Sequence, residues 1–238
     1  MESRRALLLI ADIGGYTEYM STHRMSLAHA EVNTARLLEK VVDAAGDFDL
    51  IEIEGDGVFL TRPVDPLNGD DSVDATVRAA AAMYRAFHLE RQYVAANLCP
   101  CDGCSQVDNL KLKFVAHIGD VATQTVKQRR KVVGIDVILV HRMLKNPVDV
   151  PEYVLFSEEL YRTGETPLGE SAREISQDLE GIGEVREYFV SVGDVEDSTP
   201  PEVRQSIVGR VGRTFAVAGT GLPYMLGLRR RRRTASPN

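Results

Sequence analysis

Ala6-Leu-Leu-Leu-Ile-Ala11 is an unbroken apolar run that ends in Asp12 and is followed at once by the pair Gly14-Gly15. A strand with one wet face alternates apolar and polar residues, whereas an unbroken run suits a strand covered on both faces. A chain built around such a strand needs packed layers on either side of it. With 238 residues, 44% hydrophobic and 26% charged, the chain has enough material for that core, and its length predicts one sizeable domain with an appendage.

The rest of the chain supplies those layers. Residues 27–45 repeat apolar positions at helical spacing, with Ser26 as cap and Gly46 as stop. Residues 50–54 alternate, Gly55-Asp56-Gly57 turns, and residues 58–61 return, which predicts a hairpin. A second long helix opens at Asp70-Asp71-Ser72 and runs to about Asn97; a Cys-containing loop insertion follows over 99–108. Further on, the pattern predicts a long strand over 110–125, a short helix over 135–144, a strand over 153–156, a helical turn over 158–163 and a closing strand over 184–192. The order β-α-β-β-α-β is that of an α+β, ferredoxin-like (split βαβ) core with additions. Residues 1–193 form the expected domain, and 194–238 a linker and basic C-terminal tail.

Charge is unevenly distributed. The chain carries 28 Lys+Arg against 35 Asp+Glu, but 8 Arg and no acids lie from Arg204 onward, so residues 1–203 hold 20 bases against 35 acids. An acidic body of this kind is a poor nucleic-acid ligand, while the tail can seek an anionic surface. The first apolar run is too short for a signal peptide, and no stretch reaches the roughly 18 apolar residues of a membrane span. The expectation is a cytoplasmic protein.

Five short motifs carry a resemblance. They are Ala11-Asp-Ile-Gly-Gly-Tyr-Thr17, Glu52-Ile-Glu-Gly-Asp-Gly57, Val115-Ala-His-Ile-Gly-Asp-Val121, the Gly134-x7-Arg142-Met143 spacing, and Gly181-Ile-Gly183 before the closing strand. Their order and placement resemble the class III adenylyl/guanylyl (nucleotidyl) cyclase domain, in a divergent actinobacterial-like branch, over about residues 6–192.

The resemblance implies a nucleoside triphosphate as ligand, a homodimer with composite sites, and a two-ion Mg or Mn centre. Asp12, Ile13 and Asp56 are its metal set; two divalent ions would clamp the attacking and leaving oxygens of an in-line displacement. Gly14, Gly15 and Tyr16 match the segment that meets the phosphates, where glycines let backbone approach closely. Glu52 and Lys131 stand at the two base-reading positions, Glu52 being of the guanine type and Lys131 standing where guanylyl cyclases have Cys, and Arg142 matches the transition-state arginine. Each has a plainer reading. Asp12 can be a cap and Asp56 a turn former, and Glu52 with Lys131 can be a ligand-free salt bridge.

Two departures weaken the catalytic half. The ribose-orienting Asn of the family is Ile138 here, and its triphosphate Lys is Ile182. Losing one pre-organised transition-state donor costs about 10²–10³ in rate. The expectation is a degenerate cyclase-like domain that binds metal–nucleotide with weak or absent cyclisation. An active but slow cyclase, and a non-catalytic structural or membrane-proximal module, stand as alternatives.

Cys99, Cys101 and Cys104 could hold structural zinc, with His88, Asp108 or a partner's cysteine as fourth ligand. Free thiols or a redox pair are the competing readings. His117 reads as a packing histidine. The segment 214–228, followed by Arg229–Arg233, offers either peripheral attachment to anionic lipid or a tail with no membrane role.

Overall fold

A computed structural model of the chain describes residues 3–22, 27–64, 72–97, 106–127, 129–164, 171–195 and 198. In order these form β1 (Ser3–Gly14), α1 (Tyr16–Thr22), α2 (Leu27–Asp43), β2 (Asp49–Glu54), β3 (Gly57–Pro63), α3 (Ser72–Asn97), β4 (Lys111–Val126), β5 (Arg129–Val133), α4 (Ile135–Met143), β6 (Tyr153–Ser157), α5 (Glu158–Tyr161), β7 (Arg173–Leu179) and β8 (Gly183–Ser191). The strands make one sheet in the order β2-β3-β1-β4-β6-β8-β7, with β5 paired to the far end of β4. All pairings are antiparallel except β4–β6. The first four strands and their two crossovers reproduce the β-α-β-β-α-β order expected from the sequence, so the fold is a mixed α+β one.

β1 is central and covered on both sides. Leu7, Leu9, Ala11 and Ile13 enter the core beneath α2 and α3, while Ala6, Leu8 and Ile10 enter a second core beneath α4. Strand side chains alternate, so both faces of the apolar run are used. Fully burying each leucine contributes about 1.5–3 kcal/mol, and truncating one to alanine costs about 2–5 kcal/mol. The α3 helix is held by Val73, Ala80, Met83, Phe87 and Val94, a helical spacing on one face.

Three elements differ from the expectation. α1, β5 and β7 have no counterpart in the sequence reading. β7 is an edge strand with the pattern Arg-Glu-Ile-Ser-Gln-Asp-Leu, whose alternation is carried mainly by polar residues. β5 opens with basic residues, pairs with β4 and buries one apolar side chain, Val132, in the second core.

Candidate functional site

The site begins where β1 leaves the sheet. Asp12 follows Ala6, Leu8 and Ile10 on the α4 side of the strand, and its backbone lies between Gly57 of β3 and Lys113 of β4. The neighbouring β2–β3 turn presents Asp56, whose carbonyl accepts a hydrogen bond from the Ile13 N–H at 3.0 Å. Gly57 keeps the space between them clear: a Cβ there would stand 3.3 Å from Asp12 Oδ1. Lys113 Nζ pairs with the other oxygen, Asp12 Oδ2, at 3.1 Å.

Two carboxylates and one lysine leave this corner short of positive charge. Burial first, and the charge of Asp12 second, push the Asp56 carboxyl above its ordinary range, with Lys113 pulling the other way. Burial also raises the Tyr16 phenol, with Asp56 and Glu31 adding to the effect. Clustered hard oxygen donors that repel one another are what Mg²⁺ or Mn²⁺ relieves. The donor set therefore fits such an ion, although among the described residues no group of three or more His, Cys, Asp or Glu forms a closed metal cage.

Gly14 and Gly15 shape the exit from β1. Gly15 takes φ +82° and its carbonyl accepts the Tyr19 N–H at 3.0 Å, starting α1; a side chain there would be strained. Tyr16 stands at the head of that helix, half-buried.

On the same face of the sheet, α4 and the end of β7 enclose a cleft of about 690 Å³. Glu54, Ile138, His141, Arg142 and Lys145 line one side, Gln177, Asp178 and Glu180 the other. Arg142 lies against the β7–β8 turn, where a Cβ on Gly181 would be 3.4 Å from its Nη1, and that nitrogen is buried without a hydrogen-bond partner. A bulge in β2 sets Glu52 opposite Phe59, whose ring meets His141 edge-on at 5.1 Å. Glu52 thus faces the α4 side. Lys131 is exposed on β5 opposite Gln124, and among the described residues no ion pair joins it to Glu52, so the ligand-free salt bridge weighed above does not form.

The two isoleucines differ in character. Ile138 is 47% exposed in the cleft, whereas Ile182 is half-buried against the core beneath α4, and its N–H donates to the Leu179 carbonyl at 2.9 Å. A lysine at 182 would give up part of that apolar contact; an asparagine at 138 would not.

Behind the cleft, α4 is fastened by polar contacts the sequence did not announce. Asp136 Oδ2 accepts the Asp120 N–H at 2.6 Å and Oδ1 stands 3.3 Å from His117 Nε2. His117 Nδ1 meets Ser157 Oγ at 2.8 Å, and that oxygen accepts the Leu160 N–H, capping α5. The Asp136, His117 and Ser157 series has the composition of a hydrolytic triad but not its access, because His117 and Ser157 are both buried. Burial lowers the His117 imidazole. His117 is a packing histidine with a tether, as its sequence context suggested. His88 is likewise committed, its Nε2 lying 2.8 Å from Glu152 Oε1, which argues against its use as a zinc ligand. Cys99, Cys101 and Cys104 lie outside the described residues, as does the Arg-rich tail. No described helix is long and apolar enough to cross a membrane.

Of the expected set, the structure brings Asp12, Ile13 and Asp56 together at one corner and Glu52 and Arg142 to the α4 side of the sheet, with Lys131 apart on the β4–β5 arm. Lys113, Asp136, Lys145 and Glu54 were missed. Lys113 was findable, since strand alternation places it on the face of Val115; the others depend on how α4 docks.

The fold is similar to that of solved guanylyl and adenylyl cyclase domains. The guanylate cyclase domain of RhGC from Catenaria anguillulae, solved in complex with GTP, superposes with TM-score 0.58 at 14% identity, covering 80% of this chain and 98% of that one. The guanylyl cyclase Cya2 superposes with TM-score 0.61 at 17% identity, covering 82% and 96%. The likeness is one of fold. A family model described as "Protein of unknown function (DUF2652)" matches residues 34–153, a span that holds Asp56 and Arg142 but not Asp12. The "Uncharacterized protein Rv2561/Rv2562" of Mycobacterium tuberculosis is 36% identical over 196 residues, 82% of this chain and 90% of the mycobacterial one. The chain belongs to the DUF2652 family.

Proposed function

We propose that this chain is a degenerate class III cyclase-type domain that binds a divalent metal–nucleoside triphosphate at a homodimer interface, with weak or absent cyclisation. The observation that carries the reading is the pairing of Asp12 with Asp56 at adjacent strand ends, where burial and mutual repulsion already hold Asp56 short of counter-charge. Asp12 and Asp56 would hold Mg²⁺ or Mn²⁺, which supplies charge neutralisation to the phosphates. Arg142 would meet the α-phosphate, and Glu52 would accept from the N–H edge of a guanine-type base. The residues 1–193 would form the functional unit, with one subunit's metal corner facing the partner's α4.

What the chain lacks limits turnover. Ile138 presents no donor to a ribose, and Ile182, half-buried against the core, offers none to a triphosphate. Substrate held without the alignment these donors provide reacts slowly. The alternative of a slow but genuine cyclase is favoured by one fact, the retention of Arg142 in the cleft.

Thermal shift with Mn²⁺ and each of the four triphosphates tests the reading. Binding at a hundred times the dissociation constant adds about 2.7 kcal/mol, so the wild type should melt higher while the Asp12→Ala/Asp56→Ala variant does not respond. Equal shifts in both proteins would refute the metal assignment. Mass spectrometry of the same mixtures should find little or no cyclic product, and abundant product would favour the active-enzyme alternative.

A further inference from the structure

We propose that Lys145 is the cation that grips the polyphosphate in this chain, in place of the β7–β8 turn; the inference rests on the nucleotide reading above. Position 182, where the resemblance sets that grip, is taken by an isoleucine half-buried against the second core, which offers no donor. The same cleft has a second wall, and it carries two cations. The chain winds on past the end of α4: Leu144 keeps a right-handed helical conformation and the Lys145 N–H donates to the Arg142 carbonyl at 3.0 Å. Residues three apart on such a winding stand on one face, and Arg142 and Lys145 both line the cleft.

Among the described residues neither cation has a carboxylate within ion-pair distance, and Arg142 Nη1 is buried without a partner. Two cations without a direct carboxylate partner in a cleft of about 690 Å³, a size that takes a nucleotide, offer contacts to a phosphate. Glu54, Asp178 and Glu180 line the cleft as well and oppose a bare anion. The subsite is therefore suited to a polyphosphate that brings its own divalent cation. A lysine just past a helix C-terminus also complements the helix dipole, and that role predicts a change in melting temperature without a change in affinity.

Isothermal titration of tripolyphosphate and of GTP, each with Mn²⁺, into wild type, Lys145→Gln and Lys145→Arg separates the two. Loss of a charge-assisted contact should weaken both ligands about tenfold or more in Lys145→Gln. Lys145→Arg should stay within about threefold, since it keeps the charge at this exposed position. Metal-free melting should be the same in all three. Tripolyphosphate binding unchanged in Lys145→Gln, with or without a lower melting temperature, would overturn the assignment and leave the nucleotide reading standing. A wild type that binds neither ligand would overturn both.

Discussion

Glu187 on β8 is 1% exposed; its Oε2 accepts from Gln177 Nε2 at 2.7 Å and its Oε1 has no partner. Burial pushes its carboxyl from an ordinary 4.5 to about 7, against the pull of that hydrogen bond. The folded chain therefore holds this proton more tightly than the unfolded chain does. The stabilisation is full below about pH 4.5 and is lost as pH rises through about 7. His117 works in the opposite sense, because burial favours its neutral form, so the wild-type profile mixes the two. Glu187→Gln isolates one of them: the variant should gain about 1–3 kcal/mol over wild type at pH 8 and little at pH 4.5. Urea unfolding at both pH values measures it, and an equal difference at both would remove Glu187 from the pH response. Gln177 also lines the cleft, so this acid stands one hydrogen bond behind the candidate site. Strand alternation sets it on the face of Val185 and Phe189, but only the covering second core shows that no water reaches it.

At the scale of elements, the position of α4 decides whether Arg142 can serve any ligand. Its first turn is fixed by Asp136, which caps the β4 backbone at Asp120 and neighbours His117. Gly119 leaves the room for that contact: a Cβ there would collide with the Asp136 carboxyl. Gly119→Ala should cost about 1–3 kcal/mol through overpacking, and Asp136→Ala about 0.5–1.5 kcal/mol, since water can replace the carboxylate at the exposed Asp120 N–H. The double variant should cost less than the two together, because removing the carboxyl removes the collision. Denaturant titration of the four proteins checks this, with additive costs counting against the coupling. Elements whose apolar residues repeat clearly, β1, α2, α3 and β4, were legible along the chain. β5 and β7 were not, since each sends only one or two apolar side chains, Val132 or Ile175 and Leu179, into the second core and is otherwise polar.

For the whole molecule, the reading requires two copies. Ile135 and Ile138 stand 61% and 47% exposed on the outward side of α4, a face the proposed dimer would cover. In a two-fold interface each residue is buried twice. Ile135→Glu should therefore weaken dimerisation by roughly a hundredfold or more, from about 1.5–3 kcal/mol lost per isoleucine. Sedimentation should show wild-type dimer and variant monomer, and the monomer should lose its Mn²⁺–triphosphate shift while still melting cooperatively. A variant that stays dimeric would move the interface off α4.

What the sequence alone determined was the local chemistry and its order: a strand apolar on both sides ending in Asp12, a hairpin turned at Asp56, an arginine at helical spacing after Gly134. Those features depend on neighbours a few residues away, and they survive reading in one dimension. The tertiary structure decided what those residues meet. Lys113 reaches Asp12, Ile182 turns inward while Ile138 turns outward, Lys145 shares a cleft with Arg142, and Glu187 loses its water. The first depends on β4 lying beside β1, far apart along the chain, and the others on how α4 and the late β7–β8 hairpin dock on the sheet. The physical reason is that burial and electrostatic environment are properties of packing, and packing is set by long-range contacts that no local spacing encodes.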